Sequence, residues 1–403
     1  MKKNINRSIT FIYTDKGEYL LYENIAKEAV NMGYKIRYSE NIFDKDDIVF
    51  YCQHECYPQH RSKLSLVMLH DLGQAHGMWP NIWIKENWNK FDIGLLPNKN
   101  WVKRWTVSSG CSFANPKIGC FEAGWPKADM LNDEKFIEEA VSLADRVGLN
   151  KNLKTVLYAP SWENDNKQLD FVKSLEDENV NMLIKQYPCS DTAYPVIYKN
   201  IQEVNKLCKG RKNVYILEPE TNIFTAILLS DILVSDESST LLEAMFAGKV
   251  SVSVTDWLIP DVDPPRLPCV PYEFVIKTQK NKLNSVLLEI LNNYDEAKKN
   301  VLKYREENIY NIGSSGKKIM DIIDACVQND KEKLSALKLP RSNKKIIYSI
   351  KKRFLWNMIS YRSFLIEKYV LPIIRKYCKP DSNNVIYTLY IFYKKCRRRL
   401  KKI

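Results

Sequence analysis

Glycine and proline are scarce in this 403-residue chain, at 13 and 17, which excludes collagen-like and low-complexity architectures. No run approaches the roughly 18 uncharged apolar residues that a membrane-spanning helix needs, so none is expected. After Met1-Lys2-Lys3-Asn4 the apolar run Ile9 to Tyr13 is short, meets Asp15 and precedes no small-residue cleavage site; no secretory signal is expected. The ten cysteines are dispersed, without the spacing of a disulfide scaffold, and are read as reduced thiols of a cytoplasmic protein. Histidine is scarcer still: His54, His60, His70 and His76 are the only four, all within residues 54–76. What is abundant is apolar and aromatic. A hydrophobic fraction of 45% with 23 Tyr, 14 Phe and 9 Trp fills real cores and excludes a disordered chain. The length predicts two or three domains at about 100–200 residues each.

Acid is nearly missing from one region. Residues 331–403 carry 21 Lys and Arg against Glu332, Glu367 and Asp381, a net of +18, while the preceding 330 residues hold 40 bases and 45 acids, a net of −5. The overall +13 is thus a mildly acidic body joined to a strongly basic tail, and each needs its own explanation.

Short apolar runs alternate with helical patterns through the body. Ser8–Tyr13, Tyr34–Tyr38, Asp47–Tyr51, Leu64–Leu69, Ile93–Leu96 and Lys117–Cys120 read as strands. Between the first two, Gly17 to Met32 places Leu20, Leu21, Ile25, Ala26 and Ala29 on one helix face, and Gly33 closes it. A second series follows at Lys154–Tyr158, Asn181–Lys185, Val214–Leu217, Asp231–Val234 and Val250–Val254, again with helices between. Strand–helix–strand repetition implies parallel sheets covered on both faces. The expectation is an α/β chain of two Rossmann-like domains facing a cleft, residues 1–145 and 146–330, followed by a basic amphipathic helical tail at 331–403. No repeat of 20–50 residues interrupts this reading. In open parallel sheets ligands bind outside the carboxyl ends of the strands, so the residues just after each strand are the ones to inspect.

Four such places carry chemistry. Asp231-Ile232-Leu233-Val234-Ser235-Asp236-Glu237-Ser238-Ser239-Thr240 is a buried strand ending in small hydroxylated residues that open a helix. Free N–H groups there, with the Ser238, Ser239 and Thr240 hydroxyls, are suited to a phosphate, and Glu243 to ribose hydroxyls. Plain N-capping by Ser238 or Ser239 is the alternative. His70 follows the strand Leu66-Val67-Met68-Leu69 directly, where an imidazole is placed to act as a general base, with Asp71 available to orient it and His76 a weaker candidate in the same loop. A structural histidine bonded to backbone is the competing reading. In the second series, Tyr158-Ala159-Pro160-Ser161-Trp162-Glu163 and Lys185-Gln186-Tyr187-Pro188 offer a cation at Lys185 for phosphate and rings at Trp162 or Tyr187 for a base. Gly313-Ser314-Ser315-Gly316-Lys317-Lys318 lacks P-loop spacing and reads as a helix start with modest anion affinity. Cys52-x-His54-x-Cys56 with His60 supplies four metal-ligand types in a spacing that matches no finger, and no metal site is expected.

Taken in order over residues 64–325, these segments resemble the CDP-glycerol glycerophosphotransferase family of teichoic acid primases and polymerases. His70-Asp71-Leu72-Gly73 is similar to that family's His-Gly segment, Gly124-Trp125-Pro126-Lys127-Ala128-Asp129 to its Gly-Tyr-Pro-x-x-Asp turn, and Tyr158-Ala159-Pro160-Ser161-Trp162 to its Tyr-Ala-Pro-Thr-Trp run. Ser235-Asp236-Glu237-Ser238-Ser239 with Glu243 corresponds to its Thr-Asp-Tyr-Ser-Ser segment and following carboxylate. The resemblance implies a GT-B fold and transfer of glycerol phosphate from CDP-glycerol to a lipid-linked polymer, with cell-wall teichoic acid synthesis as the setting. It implies His70 as base, a donor site of Ser161, Trp162, Lys185, Asp236, Ser238, Ser239, Thr240 and Glu243, and no tightly bound cofactor; a divalent-ion requirement is left open. Two positions differ from the pattern: Asp71 replaces the glycine beside the histidine, and Gln186 or Tyr187 stands where a second family histidine is expected. The alternative on the same architecture is a nucleotide-sugar glycosyltransferase making capsule or another surface polysaccharide.

The tail has basic clusters at Lys344-Lys345, Lys351-Lys352-Arg353 and Lys394 to Arg399, which on their own suggest nucleic acid. Ile346, Ile350, Phe354 and Met358 recur every four residues beside them, with Ile347, Leu355, Ile359, Phe364 and Leu365, a pattern of an interfacial helix. Residues 340–403 are therefore expected on an anionic membrane surface at the cytoplasmic face, without nucleic acid; packing of this helix on the protein's own body is the alternative.

Overall fold

The computed structural model describes residues 5–14, 16–70, 72, 82–189, 191, 195–261, 264–345 and 350–370. Among the described residues twelve strands run in chain order: β1 (Ser8–Ile12), β2 (Lys35–Ser39), β3 (Ile48–Tyr51), β4 (Leu64–Val67), β5 (Ile93–Leu96), β6 (Gly119–Glu122), β7 (Thr155–Tyr158), β8 (Asn181–Ile184), β9 (Val214–Ile216), β10 (Ile232–Ser235), β11 (Val250–Val254) and β12 (Ile276–Thr278). They form two six-stranded sheets, β2-β1-β3-β4-β5-β6 and β12-β11-β10-β7-β8-β9, and every pairing is parallel. The fold class expected from alternating apolar runs is the one observed. Central strands such as β3, β4, β7, β8 and β10 are buried at every position, whereas the edge strands β2 and β9 are half-exposed. That is why the central runs read as continuously apolar.

The chain divides into two compact units. Unit 1 comprises residues 1–70, 78–127 and 314–403, and unit 2 residues 71–77 and 128–313. The division thus falls at 127/128, ahead of the expected 145, because the helix Glu134–Val147 belongs with the second sheet. The helix Ser315–Gln328, expected with the second domain, belongs to unit 1. It buries Ile319, Met320, Ile322 and Ile323, and Tyr34 Oη donates to Asp324 at 2.8 Å. At its start Ser315 is fully buried, and a Cβ on Gly316 would come within 2.8 Å of the Asn24 carbonyl oxygen. The Gly-Ser-Ser-Gly run is therefore a close packing contact with the helix Glu23–Asn31. Gly33, at φ +78°, ends that helix as its place in the sequence predicts.

The tail helix Ile350–Leu365 docks on unit 1. Asn357 Nδ2 donates to the Lys85 carbonyl at 3.0 Å and its Oδ1 accepts from Asn87 N at 3.3 Å. Tyr361 meets Tyr57 edge-on, and Arg353 lies 3.8 Å from the Phe113 ring centroid. Its most buried positions are Asn357, Ser360 and Ser363, while Phe354 is 69% exposed. Asn357, Ser360 and Ser363, three residues apart, turn inward, and Trp356, Phe364 and Leu365 pack beside them on the core that contains Trp88, Phe91 and Trp101. Ile346, Ile347 and the basic clusters beyond 370 lie outside the described residues, and no described helix is long and apolar enough to cross a membrane.

Candidate active-site residues on the two sheets

In each sheet the strand order reverses once, between β1 and β3 in unit 1 and between β7 and β10 in unit 2. Connections on either side of such a point run over opposite faces and open a crevice at the carboxyl edge. The sequence-predicted residues gather at these two edges.

In unit 1, His70 follows β4 and is about a third exposed at its side chain. Its Nδ1 lies 3.4 Å from the Cys52 carbonyl oxygen and 3.5 Å from Glu18 Oε1. Glu18 is 1% exposed. Its carboxylate accepts from Thr14 N at 2.5 Å, Thr14 Oγ1 at 2.8 Å, Cys52 Sγ at 3.1 Å and the Gln53 side-chain amide. Burial alone would raise this carboxyl; the His70 charge, the Cys52 thiol and Thr14 outweigh it and hold the group below its ordinary range. Asp71, expected to orient His70, and His76 lie outside the described residues. The described carboxylate facing the ring is Glu18, 52 positions earlier, which no local pattern marks.

The Cys-x-His-x-Cys run disperses. Cys52 turns to Glu18; His54 Nδ1 meets the buried Glu86 at 3.0 Å, with Lys90 Nζ at 2.9 Å from the same carboxylate; His60 is exposed in the left-handed region. Glu18, Cys52 and His70 bring one ligand-type atom each within 4.8 Å of one another. Burial pushes the Cys52 thiol well up, and its Sγ donates to Glu18 Oε2 at 3.1 Å.

In unit 2, β7 and β10 present Ser161 and the Asp236–Thr240 turn side by side. Asp236 is fully buried: Oδ1 accepts from Ser161 N at 2.9 Å, Ser161 Oγ at 2.7 Å and Glu237 N at 2.7 Å, and Oδ2 from Lys167 Nζ at 3.0 Å. Lys167, also fully buried, donates to the Trp162 carbonyl at 2.9 Å as well. Burial opposes the Asp236 charge, but Lys167 and the Ser161 hydrogen bonds keep its carboxyl below the usual value. Asp236 therefore binds the two loops together, and Lys167 is the member sequence reasoning missed.

The Ser239 hydroxyl of the turn is not consumed by capping. Ser239 is the N-cap of the helix Thr240–Phe246 and makes no side-chain cap bond. Ser238 Oγ accepts from Thr240 N at 3.3 Å, and Thr240 Oγ1 donates to the Ala159 carbonyl at 3.3 Å. All three are half-buried, while Glu243 is 2% exposed. Lys185 and Gln186, after β8, are buried, and Trp162 and Tyr187 are at least partly exposed. Gln186 Nε2 donates to Glu163 Oε2 at 2.8 Å, which also accepts from Tyr158 Oη at 2.7 Å. Here burial wins and raises the Glu163 carboxyl despite those bonds. Glu237, next in the turn, is held by both terminal nitrogens of Arg266 and by Cys269 N at 2.8 Å, and Arg266 also pairs with Asp261 at 2.9 Å. It anchors the segment after β11.

Residues 84–249 match the CDP-Glycerol:Poly(glycerophosphate) glycerophosphotransferase family. A teichoic acid poly(glycerol phosphate) polymerase of Bacillus spizizenii is 29% identical over 133 residues, 32% of this chain, and the match spans about a third (32%) of that polymerase. The solved wall teichoic acid polymerase TagF aligns over 82% of this chain and 92% of its own at a TM-score of 0.57 and 14% identity; a variant of it soaked with CDPG aligns at 0.56. A UDP-GlcNAc 2-epimerase from Neisseria meningitidis, bound to UDP-GlcNAc, shares the architecture over 80% of this chain and all of its own, at a TM-score of 0.50 and 13% identity. The match to the CDP-glycerol:poly(glycerophosphate) glycerophosphotransferase family thus lies within residues 84–249, and the two parallel sheets share the GT-B architecture of TagF.

Proposed function

We propose that the protein transfers glycerol phosphate from CDP-glycerol to a hydroxyl of a lipid-linked polymer, as in teichoic acid synthesis. The observation that carries this reading is the turn after β10, where Ser239 leaves its hydroxyl unspent on capping beside Ser161, itself fixed by the buried Asp236–Lys167 pair. Backbone and hydroxyl donors held rigidly at a strand edge suit the diphosphate of a nucleotide donor. The family match over residues 84–249 and the soak of a TagF variant with CDPG support CDP-glycerol as that donor.

In unit 2, Ser161, Ser238, Ser239 and Thr240 hold the diphosphate, Lys185 adds charge, Trp162 packs on the nucleoside, and Glu243 receives the ribose hydroxyls. Asp236 acts through Ser161. In unit 1, His70, assisted by Asp71, takes the proton of the acceptor hydroxyl. The acceptor oxygen bonds to the β-phosphorus, the bond to the α-phosphate breaks, and CMP leaves. Positioning and charge stabilisation supply most of the acceleration in such transfers. The test is His70→Ala: CMP release falls by about 10²-fold or more with CDP-glycerol affinity and Tm unchanged. Unaltered turnover would remove His70 from the reaction.

The tail holds the enzyme on the anionic cytoplasmic leaflet, where a lipid-linked acceptor is reached. Its +18 charge supports this, at on the order of 1 kcal/mol per basic residue near the surface, as does the outward Phe354 of the docked helix. Replacing Lys394, Lys395, Arg397, Arg398 and Arg399 by Gln should abolish co-sedimentation of the full-length protein with phosphatidylserine vesicles. Undiminished sedimentation would refute attachment through this segment.

A further inference from the structure

The carboxylate at the His70 ring lies in the short helix Lys16–Tyr19 that follows β1, and its surroundings are built to keep it charged. Glu18 accepts four kinds of donor, from Thr14, Cys52 and Gln53, while itself 1% exposed. His70 faces it as a cationic partner, and Lys368 is a second cation that acts on it. The ring's Nδ1 faces two acceptors, Glu18 Oε1 at 3.5 Å and the Cys52 carbonyl at 3.4 Å, while the nearby Gln53 Nε2, 3.4 Å from Nδ1, has Glu18 Oε1 and Thr14 Oγ1 as acceptors for its two hydrogens. Two acceptors at one nitrogen select the tautomer with its proton there. The separations are long for hydrogen bonds, as is common before substrate draws a base into place.

We propose that Glu18 is the positioning residue of His70: it holds the ring with Nδ1–H inward and the Nε2 lone pair outward, and it stabilises the imidazolium formed when the acceptor proton arrives. This rests on the reading of His70 as the base. The acceptor proton moves to Nε2 as the new P–O bond forms and the bond to CMP breaks, and His70 then releases it to solvent. The carboxylate does not take the proton. The other titratable groups packed around Glu18 are the Cys52 thiol, the Tyr22 hydroxyl, which donates to the Ile12 carbonyl at 2.7 Å, and the half-buried Lys368, whose Nζ lies 3.5 Å from the Tyr13 carbonyl oxygen.

Glu18→Gln in the full-length protein tests this. It keeps the shape and removes the charge, so kcat should fall by about 10²-fold with the CDP-glycerol KM within about twofold. The acidic limb of the kcat/KM profile should move to lower pH, because an imidazolium without its carboxylate loses its proton more readily. Glu18→Asp should recover part of kcat and part of the limb. In the wild type, 15N spectra of the four histidines should show His70 protonated at Nδ1; this readout stands even where the variant folds poorly. An acidic limb unmoved in Glu18→Gln, or a His70 protonated at Nε2, overturns the proposal. Full turnover in His70→Ala would instead refute the base reading itself; loss there with normal Glu18→Gln kinetics would refute only the role of Glu18.

Discussion

Lys167→Met removes the cation from a fully enclosed ion pair. Lys167 and Asp236 are both 0% exposed and 3.0 Å apart, so methionine fills the lysine's volume but leaves a carboxylate without its counter-charge. Stripping one partner from a buried pair costs about 3–5 kcal/mol. The other Asp236 oxygen stays bonded to Ser161 and Glu237 N, which argues for the lower half of that range. For a unit of this size 1 kcal/mol moves Tm by about 2–4 °C, so scanning calorimetry should show a drop of roughly 6–16 °C in the transition of unit 2. Adding Asp236→Asn, which keeps an acceptor for Ser161 and removes the orphaned charge, should recover about half of the loss. The Asp236 carboxyl is held below its usual 3.8; its contribution is complete above that pH and disappears as pH falls through the folded value. The deficit of Lys167→Met should therefore be largest near neutrality and shrink below about pH 4. A loss under about 1 kcal/mol, the range of exposed pairs, or a double variant no more stable than the single, would refute the reasoning.

Removing the Ser238 and Ser239 hydroxyls together (S238A/S239A) should raise the donor KM by about tenfold per lost charge-assisted bond while moving stability by less than about 0.5 kcal/mol; steady-state kinetics with a thermal scan checks both. Glu122, at the end of β6, has its carboxyl pushed up to about 7 by burial, against the lowering charges of Lys99 and Lys318. A raised carboxyl favours folding while protonated, so unit 1 should lose stability as pH rises through about 4.5 to 7. Glu122→Gln should flatten that slope in urea titrations at several pH values.

Most of the architecture was legible because the strands are buried on both faces and so read as unbroken apolar runs. The strand β12, three residues at a sheet edge with Lys277 exposed, has no such run and gave no signal. The return of Ser315–Gln328 to unit 1 was hidden for another reason: its apolar stripe states that the helix packs, and the partner is decided by Gly316 against Asn24 and Tyr34 against Asp324, contacts some 290 residues apart. The candidate site was half legible. His70, Ser161 and Ser238 stand immediately after strands, where position alone marks them. Glu18 and Lys167 sit in helical stretches where a charged residue ordinarily means a solvated face. Only the three-dimensional neighbourhood, two strands converging on one edge, turns them inward. Asp236 illustrates the converse: its sequence position suggested ligand contact, and its burial makes it the brace behind Ser161.

Donor identity tests the account most directly. Purified full-length protein, given CDP-glycerol, UDP-sugars and a lipid-linked glycerol phosphate acceptor, should release CMP only when CDP-glycerol and acceptor are both present. Release of UDP from a UDP-sugar, with none of CMP from CDP-glycerol, would contradict it.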